Sequence, residues 1–150
     1  MSESLWFEDL QQGQVFEAGP ILVTEERIIA FAREFDPQAQ HVDPERARAT
    51  PFRGLAASGW HTASLTMRLM HEAVLRRFGG EGMGLGVDKL RWLVPVRPGD
   101  QLRVRVTLGD VRRSESKPGF GIVPMDAETR NQEGVAVQRM TTATLLRCRP

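Results

Sequence analysis

With 150 residues, 41% of them apolar and 26% charged, the chain has the length of one ordinary domain and a composition far from that of disordered segments. Its formal charge of +1, from near-equal numbers of acids and bases, excludes a broad field for nucleic acid or an anionic membrane surface. The lone cysteine, Cys148, excludes an internal disulfide and any metal site built on paired cysteines, and it fits a reducing compartment.

The N-terminal stretch MSESLWFEDL carries acids where a secretory signal needs bases. No apolar run approaches the roughly 20 residues needed to span a bilayer. The expectation is a single-domain cytoplasmic protein, residues 1–150, with neither nucleic acid nor membrane as partner. Lys89 and Lys117 are the only lysines among 20 basic residues. That arginine bias suits anion contacts and equally follows from genomic base composition.

From Thr24 to Phe35, residues Ile28, Phe31, Ala32 and Phe35 fall at i, i+3, i+4 and i+7, one face of a helix. Thr24 offers an N-cap oxygen, and Glu25 and Glu26 suit the positive end of the helix dipole. Asp36-Pro37 stops the helix, which makes Asp36 to His41 a loop. Asp43-Pro44-Glu45 then reads as an N-cap with proline at the first helical position. It opens a short helix to about Ala49 that Thr50-Pro51 closes, so the loop is pinned at both ends.

Ser58 to Phe78 predicts the longest helix, with Ala63, Met67, Met70, Val74 and Phe78 on one stripe, widened by Leu65, Leu69 and Ala73, and with Gly79-Gly80 as its end. So wide an apolar face implies a helix enclosed by other structure. Further on the period changes to two. Leu90, Trp92, Val94 and Val96 alternate with polar residues, and Leu102, Val104, Val106 and Leu108 do the same, as in half-buried strands. Turn sequences at Lys117-Pro118-Gly119 and Asn131 to Gly134 bound two more strands, about Phe120 to Arg130 and Val135 to Arg147. Helices followed by an antiparallel sheet define an α+β chain. Edge strands of such a sheet commonly pair between copies, which points to a homodimer or higher homo-oligomer.

Three histidines are candidates for chemistry: His41, His61 and His71. His71 lies among helical residues near Glu72 and Arg76 and reads as a surface or packing residue. His61 sits in the first turn of the long helix, where the dipole disfavours its charged form, and also reads as structural. His41 shares a short capped loop with Asp36, an arrangement that can bring a carboxylate and an imidazole to one small substrate. Adding water across a double bond conjugated to a carbonyl needs a base for the water, an acid for the α-carbon and donors for the enolate oxygen. Asp36 and His41 can supply the first two. The Ala57-Ser58-Gly59 stretch opens the long helix, and its free N–H groups can supply the third. The bland alternative stays open beside this one: Asp36 caps a turn, His41 packs, and Gly59 eases helix entry.

The segment FAREFDPQAQHVDPERARATPFRGLAASGW resembles the hydratase signature of the MaoC-like acyl-CoA hydratase/dehydratase family. That signature runs as phenylalanine-alanine, a loop Asp-x-Asn-Pro-x-His, Asp-Pro, a small-residue helix, and a glycine opening the central helix. The resemblance implies a hot-dog fold, a curved antiparallel sheet wrapped around a long central helix. It implies Asp36 and His41 as the catalytic pair and the Gly59 N–H on the thioester carbonyl, with Ser58 and Gln38 also at the substrate. It further implies reversible hydration of a trans-2-enoyl thioester of coenzyme A or an acyl carrier to the (R)-3-hydroxy product. No metal or redox cofactor is then needed, coenzyme A being part of the substrate. Gln38-Ala39 replaces the usual Asn-Pro, and polar Gln40 precedes the histidine where the family has an aliphatic residue. Two other readings share the fold: a thioesterase, which in related folds more often uses a single acid, and a non-catalytic acyl-thioester binding subunit.

Overall fold

The computed structural model describes residues 3–150. In chain order it contains β1 (Val15–Leu22), α1 (Glu25–Phe35), α2 (Ala39–Val42), α3 (Pro44–Arg48), α4 (Gly59–Ala73), β2 (Gly82–Trp92), β3 (Gln101–Leu108), the two-residue β4 (Arg112–Arg113), β5 (Phe120–Arg130) and β6 (Ala136–Arg147). The strands form one antiparallel sheet in the order β1-β3-β5-β6-β2, with β4 added beside β5. The sheet curves around α4, which packs on β1, β3 and β5.

Alternation builds the core where the sequence predicts it. On β3 the side chains of Leu102, Val104, Val106 and Leu108 are buried and those between are mostly exposed. Val123, Met125 and Ala127 of β5 and Val137, Met140 and Leu146 of β6 meet them, and Ile28, Leu69, Met70 and Val74 close the layer from the helical side. Each large apolar side chain so buried contributes about 1.5 to 3 kcal/mol. Near the N-terminus Phe7 packs against Gly121, so closely that a Cβ there would stand 2.0 Å from its ring.

α1 and α3 begin where their caps predict. Thr24 Oγ1 accepts the Arg27 N–H at 3.2 Å, and Asp43 Oδ1 accepts the N–H groups of Glu45 and Arg46 at 3.0 and 3.1 Å. Ile28 and Ala32 are fully buried as expected, whereas Phe35 at the end of the same face is 65% exposed.

Four expectations are corrected. The supposed loop from Asp36 to His41 ends in the helical turn α2, which carries His41. α4 stops at Ala73 and a separate 3-10 turn covers Leu75–Arg77, so the predicted stripe is broken before Phe78. Its buried face includes His61, Thr62 and Thr66 beside Leu69, Met70 and Ala73, while Met67 is exposed. The two threonines are tolerated because they are bonded: Thr62 Oγ1–H donates to Ser58 O at 3.5 Å, and Thr66 Oγ1 shares a 2.6 Å hydrogen bond with Thr129 Oγ1 and accepts Gln138 Nε2–H at 3.0 Å, whereas the buried His61 Nδ1 has no partner among the described residues.

The strand expected around Leu90 to Val96 runs instead from Gly82 to Trp92. Pro95 has no N–H for a ladder, and the glycines of Gly82-Met83-Gly84-Leu85-Gly86 carry no hydrophobic period. β2 ends the sheet and is exposed along nearly its whole length, so burial never imposed an alternation on it. β1, with its register shift between Ala18 and Ile21, had no counterpart in the sequence reading.

Candidate active site

A groove of about 600 Å³ opens at the N-terminal end of α4, with Asp36, Gln38, His41, Gly59 and Trp92 among its walls. Asp36 enters it because α1 ends at that residue, whose N–H still bonds Ala32 O at 2.9 Å. His41 enters it because α2 turns the chain back.

The histidine is clamped from behind. Its Nδ1 lies 2.7 Å from Ala56 O. A carbonyl oxygen only accepts, so Nδ1 carries the hydrogen and Nε2 faces the groove. Nε2 stands 3.5 Å from Asp36 Oδ2. The loop holding Ala56 is itself tied down: Ala56 N–H donates to Gln40 O at 3.0 Å, and the Arg97 guanidinium donates to the carbonyls of Gly54 and Leu55 at 2.9 and 3.2 Å and to that of Phe52.

Both oxygens of Asp36 are occupied. Ser58 Oγ–H donates to Oδ2 at 2.7 Å and Gln38 Nε2–H to Oδ1 at 2.7 Å. Burial pulls the Asp36 pKa up, but the hydrogen bonds from Ser58 and Gln38, aided by His41 nearby, outweigh it and leave the carboxyl below its usual value. Gln38 is held in turn by Gln40, whose Nε2–H donates to Gln38 Oε1 at 3.1 Å.

Ser58 also caps α4, its Oγ accepting the Trp60 N–H at 3.3 Å. It is fully buried, with its hydroxyl committed to Asp36 and to the cap. It therefore lies behind the carboxylate and is not among the residues that line the groove. Gly59 follows as the first residue of α4, where the N–H has no place in the helical ladder and the helix dipole is positive. The reason for glycine here is a close approach: a Cβ would stand 2.3 to 2.8 Å from the ring of Trp92. That indole is fixed by its Nε1–H to Gln138 Oε1 at 3.0 Å and by an edge contact with Trp60, ring centres 5.2 Å apart.

The structure thus brings Asp36, Gln38, His41 and Gly59 to one groove, with Ser58 behind them. It leaves His61 and His71 outside. His61 stacks on Phe31 at 4.8 Å, and burial, with Arg27 nearby, holds its pKa below the usual value. Sequence reasoning missed Trp92, Gln138 and Arg97. Trp92 could be read only as a strand residue, and Arg97 meets its carbonyls from more than 40 residues away.

The MaoC like domain matches residues 9–130 of the chain, and the chain belongs to that family of dehydratases, with a hot-dog fold. It superposes with a TM-score of 0.91 on a MaoC-like dehydratase from Rhodospirillum rubrum, 44% identical, with 98% of this chain and 99% of that one covered. Among curated proteins it is similar to uncharacterized protein YdeM of Bacillus subtilis (strain 168), 34% identical over 83% of this chain and 86% of that protein. It is also 35% identical to 3-hydroxyacyl-thioester dehydratase Z of Mycobacterium tuberculosis (strain ATCC 25618 / H37Rv), over 59% of each.

Proposed function

We propose that the protein reversibly hydrates a trans-2-enoyl thioester to the (R)-3-hydroxyacyl thioester, with Asp36 and His41 as the acid/base pair. The observation that carries this reading is the 3.5 Å approach of His41 Nε2 to Asp36 Oδ2 in a groove that also holds the first N–H of α4. Similarity to a 3-hydroxyacyl-thioester dehydratase supports the substrate class.

In the hydration direction, a water on the groove side of the pair is held by Asp36 Oδ2 and His41 Nε2 and its oxygen adds to the β-carbon. Asp36 takes the proton that water loses, and His41 delivers one to the α-carbon. A carboxyl with a depressed pKa is a weak base, so it passes its proton on to His41 Nε2 and the pair is reset. Negative charge that builds on the thioester oxygen is met by the Gly59 N–H at the positive end of α4, a kind of donor whose loss typically costs on the order of 10²- to 10³-fold in turnover. Ser58 and Gln38 act on the carboxylate, and Gln38 supplies the amide that asparagine gives in related loops.

A homodimer formed along β2 belongs to the same reading. This terminal strand exposes Met83, Leu85 and Val87 beside an open backbone edge, a template for pairing with a second copy. Light scattering is expected to give twice the chain mass, and Val87→Asp to halve it.

Product analysis tests the reaction. Incubation with a trans-2-enoyl-CoA is expected to yield the (R)-3-hydroxyacyl thioester with the thioester bond intact. Free acid and free thiol in its place would refute the reading.

A further inference from the structure

The outer face of the sheet, away from α4, carries a row of charges whose order is set by strand register. Glu17 on β1 faces Arg105 on β3, Arg105 faces Glu128 on β5, and Glu128 faces Arg139 on β6. The signs alternate across these four strands. At the last step they do not, because Arg139 faces Arg91 on β2. Like charges directly opposite one another repel, and no carboxylate follows to relieve them. Arg139 Nε–H donates to Glu128 Oε2 at 2.7 Å, but the same carboxylate also holds Arg130. Arg91 donates to its neighbouring carbonyl, Leu90 O, at 3.0 Å. Among the described residues no ion pair within 4 Å engages Arg91 or Lys89.

Lys89 strengthens the same spot. It has φ 53° at the register shift between Asp88 and Arg91, a bulge of the kind that re-aims a side chain, and it lines a trough of about 690 Å³ with Arg91 and Arg139. Five cations and two carboxylates line that trough, a local excess of +3 in a chain whose formal charge is +1. Its position relates it to the chemistry. Leu93 lines both the trough and the Asp36–His41 groove, and Arg91 lies two residues of extended chain, roughly 7 Å, before Leu93.

We propose that this trough holds the phosphates of the nucleotide end of a coenzyme A thioester, with Arg91, Arg139 and Lys89 as their ligands. The carrier arm crosses the rim at Leu93 and leaves the acyl end in the groove. The inference rests on the thioester reading above and adds the carrier to it. Guanidinium groups suit phosphate because their planar N–H forks bind its oxygens in pairs. An organic anion here also relieves the Arg139–Arg91 repulsion.

Calorimetric titration with adenosine 3′,5′-bisphosphate, which has the nucleotide end and no thioester, tests the trough independently of turnover. At low salt the wild type is expected to bind it. Lys89→Gln/Arg91→Gln, whose folding is checked by circular dichroism, is expected to bind at least tenfold more weakly. In kinetics the double variant should raise KM for an enoyl-CoA at least tenfold while leaving kcat/KM for an enoyl-N-acetylcysteamine thioester unchanged. Equal binding by the two proteins, or no saturable binding by the wild type, overturns the assignment. The latter is the result expected if a carboxylate from a second copy neutralises Arg91. If the groove were not a hydratase site, neither thioester would turn over, yet the bisphosphate titration would still report on the trough.

Discussion

The two ends of the central helix are built differently. At the N-terminal end of α4 nearly every polar group has a partner: Ser58 holds Asp36, Ala56 O holds His41, Arg97 holds the loop of Ala56, and Gln138 holds Trp92. The C-terminal end is soft. Met67, Met70 and Met125 surround a slot of about 300 Å³ whose far wall includes Gly82 and Gly84, and flexible thioethers fill such space without fixing it. Proton transfer requires geometry held to fractions of an ångström, whereas apolar packing requires only volume. The contrast teaches that a fold can concentrate its hydrogen bonds at one end of a helix and leave the other end adaptable.

The largest expected effect falls on the rigid end. Asp36→Asn and His41→Ala should each lower turnover by about 10²- to 10⁴-fold, the usual range for lost proton transfer, with thermal unfolding showing that both remain folded. Near-normal turnover in both would leave the polar clamps as purely structural devices.

Gly59→Ala should come next. A Cβ at 2.3 Å from the fixed Trp92 ring forces the indole or the helix start to move, at about 1 to 3 kcal/mol of overpacking, to be read from urea unfolding. Turnover should fall as well, because the helix N–H moves with it. Arg97→Ala frees the Phe52–Leu55 carbonyls and loosens the acceptor of His41 Nδ1. Steady-state kinetics should show kcat down by about tenfold, or 1.4 kcal/mol, with KM little changed.

His61 gives a smaller, pH-dependent effect. Its folded pKa lies below the unfolded one, so the unfolded chain takes up the proton first as pH falls. Stability is therefore complete above the unfolded value, about 6.5, and declines as pH drops below it toward the folded value. His61→Phe, which retains a ring against Phe31, should flatten the fall in Tm between about pH 7 and 5. An unchanged slope would remove His61 from the account. The smallest effect belongs to the soft end: a Cβ at Gly84 meets nothing within 4 Å, so Gly84→Ala should leave the urea midpoint level or raise stability by about 0.4 to 1 kcal/mol.

The same contrast explains what the sequence reveals. α1, α3, β3, β5 and β6 are legible because caps, turn residues and burial on one face leave a period in the chain. β2 is not, since an edge strand rich in glycine and exposed on both faces has no period to read. The meeting of Asp36 with His41 is legible because they lie five residues apart between two helices. The groups that fix them are not. Arg97, Gln138 and Trp92 reach the site from distant segments, and only the assembled tertiary fold brings them near. Ser58 is legible as the start of the helix, but which way its hydroxyl turns depends on the Asp36 carboxylate, a contact spanning 22 residues.

The most direct test of the central claim follows loss of enoyl-thioester absorbance and appearance of free thiol together, for the wild type and Asp36→Asn, across trans-2-enoyl-CoA substrates of increasing chain length. The account predicts absorbance loss without thiol for the wild type on at least one chain length, and a rate at least about 100-fold lower for the folded variant. Thiol released in step with absorbance loss, or equal rates in the two proteins, would contradict it.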